Sequence, residues 1–258
     1  MISTMASEGS SGVDRLTVTQ RPLAPAIGYQ QWLNLSFLHW RIDPAVLRSL
    51  VPETLQIDTF EGDAWIGLVP FTMRGVRPWW SPAVPWLSTF HETNVRTYVH
   101  RDGQAPGVWF FSLDAARRIA VEIARSFWHL AYFHAEMQLR RTGPIVDYVS
   151  TRRDRRSAQP AELQVRAVIE DSEPHSAEPG TLEHFLAERY LLYCSRPDGT
   201  LCCGRVWHSA YPLQAVRLEQ CRQSLLSAAG LSVPDNPDHV LFSPGVTVDI
   251  FPLKSVEL

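Results

Sequence analysis

The apolar residues of this chain come in runs of strand length separated by turn signals, and that punctuation leaves few architectures open. Residues 32–42 form a run of apolar and β-favouring side chains suited to a buried strand. Asp43-Pro44 then reads as the N-cap and first residue of a short helix over 45–50, stopped by Pro52. Residues 55–60 and 64–73 predict a hairpin around Glu61-Gly62-Asp63, and residues 89–100 and 108–113 predict a second around Arg101-Asp102-Gly103. Asp114 is placed to cap a following helix. That helix has an apolar face of Ala116, Ile119, Ala120, Ile123, Ala124 and Phe127, opposite Arg117, Arg118, Glu122 and Arg125.

Further strands are predicted at 135–141, 145–152 and 163–169, followed by an acidic, Pro-containing loop over 171–180. Thr181 opens a short helix, and 190–194 with 201–208 make a hairpin about the turn Pro197-Asp198-Gly199. Two strands, 240–242 and 246–251, come last. No β-α-β alternation, internal repeat or interdomain linker interrupts the series. The pattern predicts a β-rich α+β domain with few helices, closed into a barrel. Residues 1–27, rich in Ser, Gly and Pro, predict a loose arm ahead of one domain spanning 28–258.

Charge and motifs exclude several functions. The formal net charge of -3 argues against a nucleic-acid partner. No run approaches the roughly 18 uncharged apolar residues of a membrane helix, and the first residues carry no apolar signal-peptide stretch. Both point to a cytoplasmic protein with no membrane partner, whose Cys194, Cys202, Cys203 and Cys221 are reduced thiols. Phosphate-binding glycine motifs, the nucleophile elbow and metal-ligand spacings are missing, so no cofactor and no metal are expected. The segment 74–87 holds prolines that remove backbone donors and three tryptophans, Trp79, Trp80 and Trp86. It is expected to be an irregular loop folded over something apolar, either a lid on a pocket or a loop against the outer core. The cluster 152–156 reads as a solvated basic turn.

The hairpin over 89–113 carries the chemistry. Alternation puts Phe90, Glu92, Asn94, Arg96 and Tyr98 on one face, and His91, Thr93, Val95, Thr97 and Val99 on the other. Taken alone, the strand would turn its Val/Thr face inward and its charges to water. Its partner, residues 108–113, is apolar on both faces, as a strand covered on both sides would be. If the neighbour is covered too, Glu92, Asn94 and Arg96 line an enclosed polar cavity. There Glu92 is a candidate acid/base and Arg96 a bidentate hold for a carboxylate. His39 and His208 lie in apolar strands and read first as satisfied core histidines.

Phe37-Leu38-His39-Trp40, residues 90–99 (FHETNVRTYV), 107–114 (GVWFFSLD) and 186–193 (LAERYLLY) resemble the YqjF-like family. That family of uncharacterised bacterial proteins is placed in the acetoacetate decarboxylase-like superfamily. The resemblance spans about residues 30–252 and implies a cone-like, closed antiparallel β-barrel with flanking helices around a central cavity. Acetoacetate decarboxylases carry Gly-Arg-Glu followed by Pro-Lys-Lys, whose first lysine forms the Schiff base. In the similar stretch here Arg125 matches the arginine, Ser126 replaces the glutamate, and Tyr132 and Phe133 stand where the lysines would be. The chain has one lysine, Lys254, near its C-terminal end.

The combined expectation is a cofactor-independent pocket protein acting on a small carboxylate or carbonyl compound by lyase, isomerase or hydratase chemistry, not through a Schiff base. Glu92 and Tyr132 are its catalytic candidates. Asn94, Arg96, Arg125 and His39 are its ligand-binding candidates. A non-catalytic small-molecule binder of the same fold is the alternative, and a structural or partner-binding protein that uses the tryptophans is a third. Self-association is left open.

Overall fold

The computed structural model describes residues 12–256. β1 (Gly28–Ile42) is followed by α1 (Pro44–Arg48), whose first turn is capped by Asp43 accepting from the Ala45 amide at 2.8 Å. β2 (Gln56–Ile57), β3 (Ala64–Pro78), α2 (Pro85–Ser88), β4 (Phe90–Arg101) and β5 (Gln104–Ala115) come next. α3 (Arg118–Trp128), β6 (Tyr132–Thr142), β7 (Ile145–Arg152), β8 (Glu162–Ile169) and α4 (Leu182–Ala187) form the middle of the chain. β9 (Leu191–Ser195), β10 (Leu201–His208), β11 (Gln214–Gln223), α5 (Leu225–Ala228), β12 (His239–Ile250) and β13 (Lys254–Ser255) complete it. The result is β-rich α+β with short helices, as the sequence pattern predicts.

The strand pairings return on themselves. β4 pairs with β5, β5 with β9, β9 with β10, β10 with β12, β12 with β1, β1 with β3, and β3 with β4. A second sheet, β6-β7-β8-β11, is laid across this ring. Among the described residues the two largest apolar cores follow from this arrangement. One, inside the ring, gathers Leu35, Phe37, Val69, Phe71, Phe90 and Leu113. The other lies between ring and second sheet, where Leu38, Trp40, Leu68 and Val95 meet Tyr148, Leu163 and Val165. Residues of β1, β3 and β4 therefore alternate between two buried environments, and the buried stretch of β3 is apolar on both faces for that reason.

Several expectations need correction. The ring is not wholly antiparallel, because β5 pairs in parallel with both β6 and β9. The β5–β6 pair is joined through α3, so one β-α-β crossover exists after all. Asp114 does not cap α3. It is buried, and its carboxylate takes the Arg152 guanidinium at 2.7 Å. Arg152 is thus removed from the solvated basic turn, and its guanidinium lies 4.1 Å from the centre of the Phe133 ring. The expected hairpin around Glu61-Gly62-Asp63 closes by a single bridge, Phe60 to Asp63, while β2 pairs with the end of β4.

Residues 214–223 are strand β11, which the turn-and-run pattern passed over. The two strands expected at 240–242 and 246–251 are one, β12, carried through Pro244-Gly245. Gly245 has φ +137°, and a Cβ there would meet the Trp32 carbonyl oxygen at 2.2 Å, so glycine alone fits.

The segment 74–87 also departs from expectation. β3 continues through Pro78, and Trp79, Trp80 and Trp86 are 64–70% exposed instead of covered. Of the loose N-terminal arm, residues 1–11 lie outside the described part. From Asp14 onward the arm is held to the body: the Trp207 indole donates to the Thr19 carbonyl at 3.1 Å, Arg205 donates to that of Gln20 at 2.7 Å, and Arg15 pairs with buried Asp58.

Candidate functional site

The ring encloses a cavity of about 380 Å³. β4 supplies its chemistry. Phe90, Glu92, Asn94 and Arg96 line it, while Thr93, Val95 and Thr97 face the second core. Both faces are buried, so charges on this strand cannot reach bulk water. Glu92 is 2% exposed and Arg96 is 8% exposed. β3 brings Val69, Phe71 and Met73 alongside, and α3 lays Ala120, Ile123 and Ala124 over one side. Next to the β4 residues, Tyr132, Arg189 and Tyr211 add polar groups.

The crossover through α3 sets Tyr132. Its residue pairs in register with Leu113 of β5, and the Arg125 guanidinium donates to the Tyr132 carbonyl at 2.8 Å. The phenol then donates to Glu92 Oε2 at 2.9 Å. Burial pushes Glu92 up to about 8, with the Tyr132 hydrogen bond pulling the other way and Asp114 adding to the rise. Near neutral pH the carboxyl is mostly protonated, yet ready to lose its proton. Burial also drives the Tyr132 phenol well above its ordinary range, so it stays a donor. The pair therefore contains an acid of near-neutral strength and a fixed hydrogen-bond donor.

Arg96 is differently placed. Its Nη2 donates to the Leu186 carbonyl at 3.0 Å, and its guanidinium lies over the rings of Phe37 and Tyr98. No carboxylate pairs with it among the described residues. Its Nε and the neighbouring Asn94 Oδ1 are buried without a partner. Gly67 gives the side chain its seat, since a Cβ there would lie 3.2 Å from Arg96 Cγ and 3.2 Å from the Tyr98 hydroxyl. A buried guanidinium without a counter-ion is costly, and a carboxylate ligand would relieve that cost.

His39 does not line the cavity. It is fully buried behind Arg96, its Nε2 2.8 Å from the Tyr98 hydroxyl, which in turn donates to the Leu186 carbonyl at 2.9 Å. Burial holds its imidazole well below the ordinary range, so it is neutral. Arg125 is likewise outside the cavity wall, fastening Tyr132 from behind. The site thus gathers Glu92, Tyr132, Asn94 and Arg96, with His39 and Arg125 as supports. Phe133 points away, toward Arg152. Lys254 is exposed on β13, paired in register with Cys203 and away from the cavity wall.

Sequence reasoning missed Arg189. It lines the cavity, yet is buried and paired with Asp58 at 2.8 Å, and Asp58 also takes Arg15. Arg189 lies in LAERYLLY, one of the stretches that carry the resemblance, and a charged pair inside an otherwise apolar run was the available signal. Tyr211 was missed as well. It follows β10 in a loop, and its amide donates to the buried Glu188 carboxylate at 2.9 Å.

Comparison with known proteins agrees with the geometry. The DUF2071 family, described as an uncharacterized conserved protein (COG2071), matches residues 29–247. The uncharacterized protein YqjF of Bacillus subtilis (strain 168) is 36% identical over 225 residues, covering 87% of this chain and 90% of that protein. Among solved structures, the enduracididine biosynthesis enzyme MppR complexed with pyruvate has a TM-score of 0.60 at 14% identity, covering 94% of this chain and 95% of that one. The acetoacetate decarboxylase of Legionella pneumophila has a TM-score of 0.58 at 12% identity, with 98% of each chain covered. At such identities these two solved structures establish the likeness of fold alone. The family match over most of the chain and the B. subtilis relative establish more: this chain belongs to the DUF2071 family.

Proposed function

We propose that this protein is a cofactor-independent enzyme that binds a carboxylate or carbonyl compound in the ring cavity and moves a proton on it, in lyase, isomerase or hydratase chemistry. The single observation behind this reading is the cavity-facing trio: a carboxyl raised to about 8, a phenol donating to it, and a buried guanidinium with no counter-ion. Arg96, assisted by Asn94, would hold the ligand's oxyanion. Ionised Glu92 would take a proton from the carbon next to a carbonyl, and as it does so the Tyr132 hydroxyl would turn from Glu92 to donate to the developing enolate oxygen. The same carboxylic acid would return the proton at another position, so the protein ends the cycle unchanged.

Schiff-base decarboxylation is not part of this reading. Tyr132 and Phe133 occupy the positions matched to the lysine pair, and the sole lysine is exposed on β13. Borohydride reduction with acetoacetate should therefore leave the mass of the protein unchanged. An adduct on Lys254 would overturn that.

The test of the main reading uses 5-oxohexanoate, whose carbonyl stands well away from its carboxylate, in D₂O, followed by the loss of the proton signals next to the carbonyl. The protein should accelerate exchange, and Glu92→Gln should abolish the acceleration while 5-oxohexanoate still raises the melting temperature. Melting shifts without exchange, for 5-oxohexanoate and other oxo acids alike, would instead favour the non-catalytic binder. That second reading draws on the same unpaired Arg96 and needs no proton transfer.

A further inference from the structure

The cavity is far larger than a three-carbon acid. At roughly 30 Å³ for each water in the liquid, 380 Å³ corresponds to about a dozen waters, and pyruvate fills about half of that or less. The polar groups are also unevenly distributed. Along the β3–β4 pairing, Arg96 lies opposite Gly67, Glu92 opposite Phe71, and Phe90 opposite Met73. β3 is buried as far as Met73 and becomes exposed toward Pro78, which points to an opening at the Pro78 end; of the β4 residues that line the cavity, Arg96 is the farthest from it. Between Glu92 and the opening the wall is mostly apolar, with Met73, Val76, Phe90, Ile123 and Leu87, and Gln30 of β1 adds a polar side chain there.

The surface around the opening is apolar too. Trp79 follows the lining residue Pro78, and Trp86 precedes the lining residue Leu87. Ile119, Ile123 and Phe127 of α3 are each about half exposed or more. Exposed apolar groups gathered at one opening mark a place where an apolar ligand enters. Arg77, also at the opening, is exposed and lies over the Tyr29 ring at 5.0 Å, so it has no unmet need for an anion. Arg96 does.

We infer that the natural ligand is an amphiphile: a carboxylate bearing an apolar chain or aryl group about as long as octanoate. Its head would sit on Arg96, with its tail running outward past Glu92 through the apolar collar. At about 3.4 Å per residue, Glu92 and Arg96 are some 14 Å apart along β4 at their Cα atoms. Glu92 consequently faces the chain at some distance from the head. The inference rests on the carboxylate reading of Arg96 given above and adds the tail.

The test is calorimetric titration of the full chain with butanoate, hexanoate, octanoate and decanoate, with octanol as the neutral control. Burial of each methylene should tighten binding about fourfold from butanoate to octanoate. Octanol should bind much more weakly than octanoate. Ala120→Phe, which narrows the cavity beside α3, should weaken octanoate more than butanoate and so flatten the series. Equal affinity for butanoate and octanoate would overturn the amphiphile inference and leave the carboxylate reading standing. Octanol binding as tightly as octanoate, or no binding by any acid, would overturn the role of Arg96 and the inference with it.

Discussion

The two faces of β4 are equally buried and chemically opposite. On the face turned to the second sheet every hydroxyl has a partner: Thr93 Oγ1 donates to Tyr148 at 3.0 Å, Tyr148 donates to the Glu92 carbonyl at 3.1 Å, and Thr97 donates to the Trp65 carbonyl at 2.9 Å. On the cavity face, Asn94 Oδ1 and Arg96 Nε have none among the described residues, and burial favours the protonated form of Glu92. Packing explains the first face completely. The second leaves buried polar atoms without protein partners, which on the proposed function a ligand would satisfy.

The largest effect should come from removing the proton carrier on the cavity face. Glu92→Gln is expected to lower solvent exchange by about 10²- to 10⁴-fold, measured by proton NMR, with no loss of stability. Breaking the Asp114–Arg152 pair next to the other face should act in the opposite sense. Asp114→Asn leaves a buried guanidinium short of its counter-charge and should cost about 3–5 kcal/mol in urea unfolding, with proton exchange per folded molecule kept.

The apolar residues sharpen the contrast further. Leu38→Ala opens a hole in the close-packed second core and should cost about 2–5 kcal/mol. Leu35→Ala widens a cavity that already exists and should cost less, since fewer contacts are lost. At the small end, Thr93→Val removes one satisfied hydrogen bond and should cost about 0.5–1.5 kcal/mol without changing the exchange rate.

Stability against pH offers a separate check. Glu92 ionises near 4.5 ordinarily and near 8 in the fold, so the folded chain keeps a proton that the unfolded chain has lost. Its stabilising contribution is complete below about 4.5 and declines as pH rises toward 8. Urea midpoints should fall across that window in the wild type and fall less in Glu92→Gln.

Much of this was legible in the sequence, for definite reasons. The β4–β5 hairpin was readable because turn residues and alternation act locally, and the double covering of β5 revealed that Glu92, Asn94 and Arg96 would be enclosed. The partners of Arg189 and Arg152 were not readable, because Asp58 and Asp114 meet them only through the folded sheet. β11 was passed over because QAVRLEQCRQ carries many polar residues and lacks a strand-like apolar run. The tryptophans of 74–87 were expected in a loop folded over something apolar, whereas Trp79, Trp80 and Trp86 are largely exposed. His39 and Arg125 were expected to bind the ligand, but both lie one layer behind the cavity wall, where His39 meets the Tyr98 hydroxyl and Arg125 the Tyr132 carbonyl.

The central claim is that Glu92 is a near-neutral acid facing a ligand cavity. Infrared difference spectra of wild type against Glu92→Gln, taken from pH 5 to 10, would isolate the protonated carboxyl band of this one residue. A band that titrates near 8 and shifts when octanoate is added is the expected result. A carboxyl already ionised at pH 5, or one that titrates near 8 with no response to any carboxylate, would contradict it.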